Sequence, residues 1–170
     1  MAGDSAGGNL AAVAAQMDRD RGTGCVAGQV LIYAKLTFLA HGLPGYAWDE
    51  RAFSIAEEQA HLLPDLLALG SDAANRRCAE RYVQGGEDLG TPYISPAFGR
   101  AEGLPRALLI QAEYDGLRPE GEFYARKLLD AGVPVRMIRY CGMTHAFFDA
   151  LGIFPQAEAA VNDICDFLRN

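Results

Sequence analysis

Ser5, Asp115 and His145 are the residues of this chain whose types and surroundings suit the breaking of an acyl bond. A serine hydroxyl is a poor nucleophile until a neutral imidazole accepts its proton, and the imidazole needs an acid to fix its tautomer. Ser5 lies in Gly3-Asp4-Ser5-Ala6-Gly7, a G-x-S-x-G pattern that suits a sharp strand-to-helix turn holding the serine above a parallel sheet. Such a turn strains the serine backbone. Glycines are expected at Gly3 and Gly7 because side chains there would collide across the bend. An Ala-rich amphipathic run follows over residues 9–19, so the serine would stand at a helix N-terminus. Each residue also has a plainer reading: Ser5 as a helix N-cap, Asp115 as a strand-end turn residue, His145 as a loop histidine. Asp130 and Asp149 are other acids of suitable type, but Asp130 falls on the exposed side of a predicted helix and Asp149 follows the histidine too closely.

The elements around these residues support their convergence. Helical composition over 9–20 is stopped by Gly22 and Gly24. Residues 29–33, 106–112 and 134–140 read as short apolar strands, the middle one nearly continuous, as a sheet covered on both faces demands. Helices are expected over 50–63, 72–84, 119–131 and 155–168, with Pro119 in a first turn and Gly132 as a stop. Strands separated by helices imply parallel pairing. Asp115 and His145 then fall at the carboxyl ends of strands, the edge where open α/β sheets place their sites. The predicted order is helix, strand, helical insertion, strand, helix, strand, helix.

At 170 residues the chain has the length of one domain. Half of it is hydrophobic and 22% is charged, which suits a globular protein. A net charge of −7 without a Lys/Arg cluster argues against nucleic acid and anionic membrane surfaces as partners. No apolar run is long enough for a membrane span, and no signal-like segment opens the chain. Four scattered cysteines, Cys25, Cys78, Cys141 and Cys165, read as reduced packing thiols in a cytoplasmic protein. His61 reads as a partly buried helix residue. Tyr46, Trp48 and Phe53 read as core residues or, second, as the lining of an acyl pocket. Gly22-x-Gly24-x-x-Ala27 follows a helix and precedes a strand, the reverse of a dinucleotide fingerprint. No metal or organic cofactor is expected.

The order Ser5, Asp115, His145 is that of an α/β-hydrolase, and three motifs make the resemblance specific. Gly3-Asp-Ser-Ala-Gly-Gly8-Asn-Leu, Glu113-Tyr-Asp-Gly-Leu-Arg118 and Gly142-Met-Thr-His-Ala-Phe147 resemble the nucleophile, acid and histidine motifs of the hormone-sensitive-lipase-like esterases, the acetyl esterase type. Ser95-Pro96 also matches the family pattern. The resemblance covers residue 3 to the end. It implies the C-terminal part of an α/β-hydrolase fold, one partial domain over 1–170 with a helical cap-like insertion within 36–104. It also implies a cofactor-free serine esterase acting on short-chain carboxylic esters. Ser5 would be the nucleophile, His145 the general base and then acid, and Asp115 its orienting partner. Gly3 and Gly7 would shape the elbow, and the Ala6 backbone N–H would serve the oxyanion hole.

Three departures from the family pattern qualify what this chain is expected to do. Only Met1 and Ala2 precede the serine motif, so the strand entering the turn is expected to be missing, leaving residues 29–33 as an open sheet edge for self-association. The family's His-Gly-Gly-Gly element, which supplies further oxyanion N–H groups, has no counterpart upstream of Ser5. His41-Gly-Leu-Pro-Gly45 resembles it only superficially and reads as a loop or cap segment. Pro119 stands where the family commonly has an acidic residue, a place Glu120 could fill. The alternative reading is therefore a truncated, non-catalytic fragment of such an enzyme.

Overall fold

The computed structural model describes residues 1–169. Strand β1 (Ala2–Asp4) runs directly into helix α1 (Ser5–Arg21). Strands β2 (Gly28–Ile32), β3 (Arg106–Tyr114) and β4 (Val135–Thr144) complete a sheet ordered β1-β2-β3-β4, with every pair parallel. The entering strand is thus present. Ala2 pairs with Val30 and Asp4 with Ile32, and the Met1 ammonium donates to the Gly28 carbonyl at 2.8 Å. Three residues carry no periodicity, so the sequence gives no sign of this strand. Its presence makes β2 an interior strand, and the free edges belong to β1 and β4.

Two apolar layers hold the sheet. Leu31 and Leu109 face Ala11, Ala12 and Ala15 of α1 together with Tyr124 and Leu128 of helix α4 (Arg118–Asp130). On the other face Val30, Ile32, Leu108 and Ile110 meet Ala157, Ala160 and Phe167 of helix α5 (Pro155–Arg169). Burial on both faces accounts for the continuous apolar runs of β2 and β3. Gly22 ends α1 in the left-handed conformation (φ 67°), and its N–H bonds back to the last turn.

Between β2 and β3 the chain is mostly short turns. Helices α2 (Pro64–Leu67) and α3 (Asp72–Tyr82) are joined by one 3₁₀ turn, Ala68–Gly70. The helix expected over 50–63 is two separate 3₁₀ turns, Glu50–Ala52 and Glu57–Leu62. Arg118 gives a reason: its guanidinium donates to the Ala52 carbonyl at 2.5 Å and lies 4.7 Å over the Phe53 ring, drawing the backbone out of a helical path. His61 lies in the second turn and is exposed rather than partly buried. All four cysteines are free, but Cys25, Cys78 and Cys141 are exposed and only Cys165 is half-buried, so packing is not their role.

The start of α1 touches the sheet more closely than any side chain would allow. A Cβ on Gly3 would stand 2.2 Å from the Gly7 carbonyl oxygen, and one on Gly8 2.4 Å from the Ala34 Cβ. A Cβ on Gly7 would meet only Asp4 Oδ1 at an ordinary 3.6 Å. The steric need is therefore at Gly3 and Gly8, not at Gly7 as the motif suggested. Gly8→Ala is predicted to lower stability by about 1–3 kcal/mol in urea unfolding. Gly7→Ala, at a helical position with space, is predicted to be neutral or to stabilise by up to about 1 kcal/mol.

Candidate active site

The parallel register brings the carboxyl ends of β1, β3 and β4 to one edge, and Ser5, Asp115 and His145 each directly follow one of these strands. Ser5 has φ 48°, in the left-handed region. The Lys35 N–H donates to the Ser5 carbonyl at 3.0 Å. Asn9, buried one turn along α1, donates through Nδ2 to the carbonyls of Lys35 and Ile94, each at 2.9 Å. These bonds fasten the turn to the segment after β2.

The three side chains form one hydrogen-bonded line. Ser5 Oγ lies 2.9 Å from His145 Nε2, and His145 Nδ1 lies 2.7 Å from Asp115 Oδ2. The fully buried Asp115 carboxylate also accepts the Leu117 N–H on Oδ1 at 2.8 Å. A carboxylate on Nδ1 assigns the proton there, so Nε2 is free to accept from the serine hydroxyl. Asp130 and Asp149, the other acids considered, are exposed. β4 extends to Thr144, beyond the expected residue 140, so His145 sits at the end of a strand rather than within a loop. Glu113 Oε2 accepts the Gly142 N–H at 2.7 Å, beside the register shift between Ala112 and Tyr114 that redirects the two strand ends.

Several residues around this line carry no sequence motif. Tyr33, itself at φ 34°, places its ring 4.8 Å from the His145 ring and 5.7 Å from Phe147. Burial pushes its phenol well above the usual range and keeps it neutral. Gly116, next to Asp115, is clamped by the segment between β2 and β3. Its N–H donates to the Leu66 carbonyl at 3.0 Å and its carbonyl accepts from Trp48 Nε1 at 3.2 Å, while a Cβ would stand 2.2 Å from the Leu67 oxygen. Trp48 is thus a structural prop. Tyr46 packs on Phe123 at 5.5 Å and Phe53 lies under Arg118. None of the three lines the cavity beside Ser5, a space of ≈ 290 Å³ walled by Phe38, Leu69, Tyr82 and Leu117. Those walls come from scattered segments, so no spacing in the sequence marks them.

Ala6 lies in the first turn of α1, where a backbone N–H has no intrahelical partner, and it borders the same cavity. The His41–Gly45 segment forms a turn closed by a Leu43–Tyr46 bridge, with His41 3.8 Å from Asp72 Oδ2. Ser95 is buried, and its Oγ accepts the Phe38 N–H at 2.9 Å. Among the described residues no group of three or more His, Cys, Asp or Glu could hold a metal ion, and no helix is long and apolar enough to cross a membrane.

A parallel sheet with a serine at a strand-to-helix turn and an acid and a histidine at two later strand ends defines a class, and the sequence places this chain in it. The chain belongs to the alpha/beta hydrolase fold family, which it matches over residues 1–149. It is 35% identical over 165 residues to the esterase LipI of Mycobacterium tuberculosis, an alignment covering 95% of this chain and 46% of that protein. The acetyl-hydrolase of Streptomyces hygroscopicus is 31% identical over 169 residues, covering 99% of this chain and 51% of that one. A solved esterase structure from Pyrobaculum calidifontis superposes with a TM-score of 0.76 at 39% identity, over 96% of this chain and 49% of that one. The chain therefore spans about half the length of the relatives it matches.

Behind the cavity lies a buried polar cluster. Glu120 accepts the Thr37 N–H on Oε2 at 2.8 Å, and its Oε1 lies 3.3 Å from Lys35 Nζ, which also donates to Asn75 Oδ1 at 2.5 Å. Burial pushes the Glu120 carboxyl up to about 7, against the opposing pull of Lys35 and the Thr37 N–H. The folded state then keeps this proton at pH values where the unfolded chain, with an ordinary value near 4.5, has released it. Stability from this group is complete below about pH 4.5 and is lost as pH rises towards 7, by about 3 kcal/mol. Urea unfolding at pH 5.0 and 7.5 is predicted to register the loss, and Glu120→Gln to flatten it.

Proposed function

We propose that this chain carries the acyl-transfer machinery of a carboxylic-ester hydrolase acting on short-chain esters. The observation that carries the reading is the Ser5–His145–Asp115 hydrogen-bonded line, with its two short contacts, opening on a cavity. In the first half-reaction Ser5 Oγ attacks the ester carbonyl carbon while His145 Nε2 takes the hydroxyl proton. The tetrahedral intermediate collapses, His145 returns the proton to the departing alkoxide, and an acyl-serine remains. Water then attacks the acyl carbon, His145 takes its proton, and the acid leaves as Ser5 is reprotonated. Asp115 holds the Nδ1 tautomer and offsets the imidazolium charge. The Ala6 N–H faces the developing oxyanion at the positive end of α1. Residues 36–104 serve as a cap in this reading, since Phe38, Leu69, Cys78, Arg81 and Tyr82 of that segment border the cavity.

A second reading is favoured by the short β1, its free edge and the half-length match: the chain is the C-terminal portion of a longer enzyme and turns over slowly without the rest. Each missing oxyanion donor would cost around 3 kcal/mol in the transition state. Both readings predict that Ser5 is labelled by a p-nitrophenyl phosphonate and that Ser5→Ala is not. They differ in p-nitrophenyl acetate hydrolysis, which is predicted to be readily measurable in the first case and near the buffer rate in the second. In a turnover-competent protein, Asp115→Asn is predicted to lower kcat by up to about 10⁴. Activity that survives Ser5→Ala removes the nucleophile assignment.

A further inference from the structure

The cavity beside Ser5 carries more positive charge than a short neutral ester requires. Its walls are apolar, but Arg81 of α3 and Lys35 also border it, and no Asp or Glu does among the described residues. Arg19, Arg51, Arg118, Arg136, Arg139 and Arg169 each have a carboxylate within ion-pair distance. The Arg81 side chain, like those of Arg21, Arg76, Arg77, Arg100 and Arg126, has neither a hydrogen-bond nor an ion-pair partner among the described residues, and of these six it is the one that borders the cavity beside Ser5. Lys35 is nearly buried and gives two of its three N–H groups to Asn75 and Glu120, leaving one. Glu120 lies 3.3 Å from its Nζ, which also stands 5.7 Å from the centroid of the Phe38 ring, itself part of the cavity wall. Arg81 is exposed whereas Lys35 is buried, and keeping the Lys35 cation desolvated costs free energy that an apolar residue would avoid. An anionic ligand offsets that cost.

We propose that the cavity accepts an ester whose short acyl chain ends in a carboxylate, a half-ester of a short dicarboxylic acid, with Arg81 as the specificity-determining residue. This rests on the reading of Ser5 as nucleophile. The guanidinium fork suits a terminal carboxylate, and the remaining Lys35 N–H adds to the field. A cavity of ≈ 290 Å³ lies at the small end for ligand sites, which restricts the chain to a few methylenes between Phe38 and Leu117. The reaction balances as half-ester anion plus water giving alcohol, dicarboxylate dianion and a proton.

Binding in the Ser5→Ala chain tests the cavity without turnover. By titration calorimetry or ligand-observed NMR, monoethyl glutarate is compared with ethyl 5-methylhexanoate, in which an isopropyl group replaces the carboxylate. The anion is expected to bind about tenfold more tightly or better, with an advantage that shrinks as salt is raised. Adding Arg81→Gln should bring the two to near parity, whereas Arg126→Gln, outside this cavity, should leave the advantage intact. Equal binding of the two esters, no binding of the anion, or an advantage that survives Arg81→Gln overturns the proposal. Phosphonate labelling of Ser5 in the unsubstituted chain reports separately on the hydrolase reading. Labelling without anion preference leaves the nucleophile standing and removes the substrate class, whereas anion binding without labelling leaves an anion site and removes the hydrolase reading, and with it the half-ester as substrate.

Discussion

Holding Ser5 at φ 48° costs about 1–3 kcal/mol for a residue with a Cβ, and the surrounding contacts supply what keeps it there. The close approaches at Gly3 and Gly8 press the turn onto Ala34 and onto its own helix. The Lys35 N–H grips the Ser5 carbonyl, and Asn9 holds Lys35 in turn. β1, three residues long, adds the Gly3 approach and its pairing with β2. The turn is also secured from the β2 side, through the backbone that follows the strand. Positioning of the hydroxyl is thus a property of the α1–β2 contact, which is why the cradle for Ser5 is built of backbone and small residues.

The architecture was largely legible because burial on both faces forces continuous apolar runs. The segments 106–112 and 29–33 showed themselves in this way, and Gly22 and Gly132 marked helix ends where the left-handed conformation requires them. β1 escaped notice because a strand of three residues has no period and is defined only by its partner, β2. The 50–63 segment was misread for a different reason. Its composition suits a helix, yet Arg118, distant in sequence, binds Ala52 and Phe53 and imposes an extended step between two short turns. Local propensity yields to such tertiary contacts.

At the site, the three residues that form the hydrogen-bonded line stand in motifs, and those packed around them do not. Ser5, Asp115 and His145 lie in motifs because the proposed acyl transfer calls for particular residue types at strand ends. Tyr33, Asn9, Lys35 and Glu120 act through ring packing, through hydrogen bonds to backbone groups and through a buried cluster. Many residue types could fill such roles, so no pattern announces them. Glu120 is the partial exception, since an acidic residue near Arg118 belonged to the resemblance, though its contact with the Thr37 N–H emerged only from the fold.

The grip of residues 48 and 66–67 on Gly116 has a consequence for how such a protein can change. The segment that walls the cavity is bolted, through two hydrogen bonds and a contact that tolerates no Cβ, to the residue next to Asp115. The cavity wall and the Asp115–His145 pair therefore share a mechanical joint. A cap transplanted from a relative would have to bring its 66–70 turn and an indole-like prop with it, or the carboxylate behind the histidine would shift along with the new pocket. Lineages exploring new substrates would be expected to vary the outer surface of α3 freely while leaving this joint alone.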